Sequence, residues 1–191
     1  MIDLKGKQLI LASASPRRKW LMEELGVPFT VKAKNVEEVY PSHLKREEIP
    51  LFLSKLKANA FAEDELEGKI VLTADTIVWL NDRELQKPVD LEDAKRMIRQ
   101  LSGTAHEVYT TITLRTSAKA ISDFDRTEVH FRELTEAEIE FYVEKYRPLD
   151  KAGAYGIQEW IGYVGIDRIE GCYFNVMGLP LRKVYAGLNT I

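Results

Sequence analysis

Between Ile70 and Leu80 the chain is β-branched and apolar on both sides of one carboxylate, Asp75. Such a segment reads as one long buried strand, or as a strand pair interrupted at Asp75. A carboxylate inside an apolar run is costly unless it is paired, binds a metal, or lies at a strand end facing a cleft. Ligand sites of open α/β sheets lie at such strand ends. Asp75 is therefore a candidate base for activating water, or a ligand for a hard divalent cation. An aspartate that merely caps a turn is the competing reading, and the residue alone does not exclude it.

Around this run, strand-like and helix-like periods alternate. Gln8 to Ala12 predicts a short strand, followed by a helix to about Leu25 with Ser15 as cap, Pro16 in its first turn and Gly26 at its end. Phe29, Val31 and Ala33 alternate as a second strand, and Lys34 to Glu48 is a polar loop. Ile49, Phe52, Leu53, Leu56 and Ala60 fall on one face of a helix expected over Ile49 to Asp64. Asn81 to Glu84 is turn-like, Asp90 caps a helix from Leu91 to Leu101, and Gly103 ends it. Val108 to Leu114 alternates as a long strand, and Val129 and Phe131 mark another. Thr135 and Glu138 form a capping box for a helix closed by Pro148. A glycine-punctuated loop runs from Asp150 to Glu159, short strands are expected around Tyr163 to Ile169, and Pro180 opens a last helix. This order predicts an α/β protein with a mixed twisted sheet and flanking helices, a single domain over residues 1–191 without a linker.

The balance of 27 basic and 30 acidic residues gives a net charge of -3, so no basic surplus draws the chain to nucleic acid or to a membrane surface. Any bound anion has to be held by a local cluster. The lone Cys172 excludes an intrachain disulfide and multi-cysteine zinc sites. The apolar run Leu9 to Ala12 is too short for a signal-peptide core, and a cytoplasmic protein is expected. His43, His106 and His130 lack ligand spacing and are assigned no role.

Four further stretches carry candidate chemistry. Ser13-Ala14-Ser15-Pro16-Arg17-Arg18 lies between a strand and a helix. A helix N-terminus presents unpaired N–H groups and partial positive charge, so two arginines there are mildly unfavourable unless an anion binds. Adjacent helix positions diverge by about 100°, letting Arg17 and Arg18 address different phosphate groups. A capped helix with two solvated arginines is the equally weighted alternative. Lys87 is displayed in a defined direction by Pro88 and suits a phosphate, although a surface lysine is commoner. Glu37 and Glu38 offer a metal carboxylate or simply a solvated acidic pair. In Asp150 to Gln158, small residues permit close backbone approach, and the Gln158 amide complements part of a uracil or thymine edge. A tight loop with a polar tip is the alternative.

Ser13-Ala14-Ser15-Pro16-Arg17-Arg18, Ala74-Asp75-Thr76, Lys87-Pro88, Leu101-Ser102-Gly103 with His106, and Asp150 through Gln158, in that order, resemble the Maf family of nucleotide pyrophosphatases. The resemblance runs from about Leu9 to Leu188. It implies a fold similar to inosine triphosphate pyrophosphatases, with two lobes around a cleft. It implies hydrolysis of a nucleoside triphosphate to monophosphate and pyrophosphate with a divalent cation, Mg²⁺ or Mn²⁺. Asp75 would accept the proton. Ser13, Arg17, Arg18, Lys57 and Lys87 would bind phosphates, and Glu38 would join Asp75 at the metal. Thr76 and the run ending in Gln158 resemble the members acting on dTTP and UTP, which makes Arg17, Thr76 and Gln158 the specificity positions. A homodimer is compatible with this reading. The alternatives are a modified purine nucleotide such as 7-methyl-GTP as substrate, or a nucleotide-binding regulator of cell division that does not hydrolyse.

Overall fold

In a computed structural model that describes residues 2–191, β3 (Lys69–Leu80) is one unbroken strand of 12 residues. Asp75 does not interrupt it, and only Lys69 and Thr76 escape full burial. β1 (Gln8–Leu11) pairs in parallel with both β2 (Phe29–Val31) and β3, with Leu9 opposite Ile70 and Leu11 opposite Leu72. β3 turns back antiparallel into β4 (Arg83–Leu85). The turn is only Asn81 and Asp82, both at positive φ (48° and 57°), as the primed two-residue hairpin turn requires. Arg83 and Glu84, expected in the turn, therefore belong to the strand.

β5 (Ala105–Arg115), β6 (Ala120–Phe131) and β7 (Ile166–Glu170) complete a mixed sheet of order β2-β1-β3-β5-β6-β7, with β4 on β3. The helices are α1 (Pro16–Glu24), α2 (Glu48–Asn59), α3 (Leu91–Leu101), α4 (Glu136–Tyr146), α5 (Trp160–Val164), α6 (Tyr173–Val176) and α7 (Leu181–Thr190). The α/β class and mixed sheet expected from the sequence are present. No described helix is long and apolar enough to cross a membrane.

The chain forms two compact units. The first runs to Asp75 and resumes at Thr110–Asp125 and Gly178–Ile191; the second comprises Thr76–Tyr109 and Arg126–Met177. Three of the boundaries fall inside β3, β5 and β6 rather than in loops.

Three local expectations are corrected. The helix predicted to reach Asp64 stops at Asn59, and Glu63–Leu66 is a separate 3-10 turn. Arg115 Nη1 donates to the carbonyls of Ala58 and Phe61, 3.0 Å each, so a distant strand satisfies the carbonyls at the helix end. The segment around Tyr163, expected as strand, is α5 followed by β7. A Cβ at Gly162 would lie 1.8 Å from the Ile157 carbonyl oxygen, so the turn into α5 depends on a glycine there. The first half of β6 was missed because Ala120 to Arg126 is largely exposed and polar.

Candidate active site

The end of β1 leads directly to the first turn of α1. Ala12 still donates to the Leu72 carbonyl of β3 (2.8 Å), and Ser13, buried, leaves the sheet beside it. Ser13 Oγ accepts from the Ser15 amide at 3.2 Å. Ser15 is the N-cap, its hydroxyl accepting from the Arg18 amide at 3.4 Å, and Pro16 occupies the first turn. The cap read from the sequence forms because both residues suit non-helical entry and fixed φ.

Arg18 Nε donates to the Gly178 carbonyl at 2.8 Å, and Nη1 donates to the Ala74 carbonyl at 2.7 Å and to Ser13 Oγ at 3.4 Å. These contacts tie α1 to the residue preceding Asp75. Burial pulls the Arg18 pKa below its ordinary value, while Asp75 opposes the shift. Arg17 follows Pro16 on the same turn and is half-buried.

Asp75 is 7% exposed, and its carboxylate pairs with Lys57 Nζ. Lys57 also reaches Glu38 Oε1 at 3.1 Å, so one ammonium lies between two carboxylates. Burial is the largest influence on Asp75 and raises its pKa; Lys57 and Arg18 act against it.

Hydroxyls beneath the ion pair set its geometry, and sequence reasoning missed them. Thr73 Oγ1 donates to the Ser54 carbonyl at 2.7 Å. Ser54 Oγ and Thr113 Oγ1 are 3.0 Å apart, and Thr113 Oγ1 lies 2.8 Å from Ser122 Oγ. Ser54 and Lys57 are three positions apart on α2, hence on one face; Thr73 and Asp75 are two apart on β3, hence on one side. Fixing Ser54 on Thr73 thus brings Lys57 onto Asp75. A buried Ser and Thr at such spacings was the available signal.

The first unit therefore gathers Ser13, Arg18, Glu38, Lys57 and Asp75, with Arg17 on the adjoining turn. Thr76, Lys87 and Gln158 belong to the second unit. There Lys87 is exposed ahead of buried Pro88, and Gln158 Oε1 is buried with no hydrogen-bond partner. His106 is a packing residue, 2.7 Å from the Tyr155 hydroxyl and edge-on to its ring. Glu128, His130 and Glu170 also converge in this unit, but Arg126 and Arg168 already neutralise the two carboxylates.

Residues 8–191 match the family model described as Maf-like protein. The chain belongs to the Maf-like family. It is 47% identical over 188 residues to a dTTP/UTP pyrophosphatase of Flavobacterium johnsoniae, covering 98% of this chain and 97% of the relative. It is 48% identical over 190 residues to a dTTP/UTP pyrophosphatase of Bacteroides thetaiotaomicron, covering 99% and 98%. Among solved structures, the Ham1 protein of Staphylococcus aureus is similar at a TM-score of 0.49 and 14% identity, over 65% of this chain and 72% of that one.

Proposed function

We propose that this chain hydrolyses the α–β phosphoanhydride of dTTP and UTP in the cytoplasm, giving the monophosphate and pyrophosphate, with a divalent cation. The observation that carries the chemistry is Asp75: a buried carboxylate whose proton affinity is raised by its surroundings, held by Lys57 and flanked by Arg18. The pyrimidine specificity is supported by the relatives named dTTP/UTP pyrophosphatase and by the Gln158 amide.

Asp75 takes the proton of the attacking water, and its raised pKa makes it a stronger base than a solvated aspartate. Lys57, Arg17 and Lys87 offset the roughly four negative charges of a triphosphate, and the N–H groups opening α1 add partial positive charge. Arg18 braces Ser13 and the Ala74 carbonyl, orienting the stretch of β3 that carries Asp75. Glu38 and Asp75 suit a hard cation, because their oxygens already converge on the single charge of Lys57. When bound, Mg²⁺ or Mn²⁺ would supply charge neutralisation at phosphate oxygens. Gln158 would answer the imide edge of uracil or thymine: its unpartnered carbonyl oxygen suits the N3–H donor, which cytosine lacks.

Pyrophosphate release from UTP, dTTP, CTP, dCTP, ATP, GTP and 7-methyl-GTP, with Mg²⁺ and with Mn²⁺, tests this directly. UTP and dTTP should turn over fastest. A preference for 7-methyl-GTP, or tight UTP binding without turnover under either metal, would overturn the proposal.

A further inference from the structure

The segment 150–159 is held by a buried chain of polar contacts that the chemistry above does not use. Lys151, with its side chain only 9% exposed, places Nζ 2.7 Å from Asp150 Oδ1 and 3.1 Å from Glu159 Oε1. The other oxygen of Glu159 accepts from the hydroxyl of Tyr142, a fully buried residue of α4. The same hydroxyl oxygen accepts the Gly156 amide at 3.0 Å. One tyrosine on a rigid helix thus fixes the middle of the segment through Gly156 and its end through Glu159, and Lys151 closes the loop from its beginning.

Gly156 connects this tether to Gln158. A Cβ there would lie 2.8 Å from Glu159 Cδ and 3.1 Å from Gln158 Nε2, so a residue with a side chain at this position would crowd both side chains. Gln158 is meanwhile held with its Oε1 buried and unsatisfied, an arrangement that costs free energy and relaxes unless the neighbouring backbone is fixed. Apolar packing would stabilise the segment at least as well as a buried lysine and carboxylate, whose desolvation offsets their attraction. What directional contacts add is one defined geometry.

We propose that Tyr142 and Lys151 are positioning residues for nucleotide recognition, holding segment 150–159 through Glu159 in the shape that presents Gln158. The inference rests on the reading of Gln158 as the residue that answers the base. Burial raises the Tyr142 pKa, so its hydroxyl remains a donor to Glu159 throughout the working pH range. Gly153 donates to the Gln86 carbonyl at 3.2 Å, so the same segment is also joined to the stretch carrying Lys87.

The test compares Tyr142→Phe, Lys151→Met and Gln158→Ala in full-length protein, measuring kcat and KM for UTP and CTP and amide exchange over residues 150–159. Tyr142→Phe keeps the ring and its stacking on Tyr146, so it separates the lost hydroxyl from lost packing. Both tether variants should raise KM for UTP and lower the UTP-over-CTP preference by about tenfold, the scale of one lost hydrogen bond, with a smaller change in kcat. Exchange at Gly156 to Glu159 should accelerate. If Gln158→Ala loses the preference while both tether variants keep it, the tether has no part in recognition. If Gln158→Ala keeps the preference, the base reading fails, and the role assigned to the tether fails with it.

Discussion

Asp75 is placed where burial makes ionisation costly and raises its base strength. Its folded pKa is raised, so the protonated form favours folding: that contribution is complete below the unfolded value of about 3.9 and is lost as pH rises through the folded value. Ionising the carboxylate therefore destabilises the fold relative to its protonated form. Asp75→Asn removes that charge and leaves Lys57 paired with Glu38 at 3.1 Å. The variant should lose turnover by about a thousandfold, the range of a missing general base, while melting at or above the wild-type temperature. A melting temperature several degrees below wild type, read by differential scanning fluorimetry at pH 7, would show that the carboxylate stabilises the fold instead. Much of this residue's character was legible in the chain, because an acid amid β-branched apolar residues has few inexpensive explanations. Its partnership with Lys57, 18 positions away, was not. That pairing depends on where α2 lies on β3, and periodicity does not encode it.

At the scale of elements, the Ser54–Thr73–Thr113 hydroxyls decide where α2 lies. Thr73→Val keeps the shape and β-propensity of the strand but leaves the Ser54 carbonyl without its 2.7 Å donor. The expected loss is about 0.5–1.5 kcal/mol in urea unfolding, the net worth of one hydrogen bond, because the carbonyl keeps its partner within the helix. Activity should fall as well, since Lys57 rides on the same helix face. Wild-type stability and rate in this variant would mean that packing alone sets the register. Elements fixed by local signals were readable: the Ser15, Asp90 and Thr135 caps each accept from a first-turn amide as their sequences suggest. Elements fixed by distant contacts were not. The end of α2 is set by Arg115, and the half of β6 from Ala120 to Arg126 has no apolar face to announce it.

For the whole molecule, the buried titratable groups set which pH the fold tolerates. His106 packs between Phe131 and Tyr155, and burial lowers its pKa to about 3. The unfolded chain binds a proton near 6.5 and the folded one does not, so stability rises with pH across that interval. As the solution is acidified from pH 6.5 towards 3, His106 alone removes about 1.4 kcal/mol per pH unit. Glu65, paired with Lys34 and Lys32, and Glu138, paired with Arg132, both have pKa values lowered to about 2. Their stabilisation is present above about pH 4.5 and fades as pH falls towards 2, so the decline should steepen there. Asp75 has the opposite sign and softens the decline between its raised folded value and about pH 3.9. Urea-unfolding free energies measured from pH 7.5 to 4 should therefore fall from about pH 6.5 downward, well before surface carboxylates titrate. His106→Phe should be less stable at pH 7.5, because the Tyr155 hydroxyl loses its 2.7 Å partner, yet should not lose stability between pH 6.5 and 4.5. A wild-type curve already flat over that interval would mean that the buried imidazole accepts its proton without opening the fold.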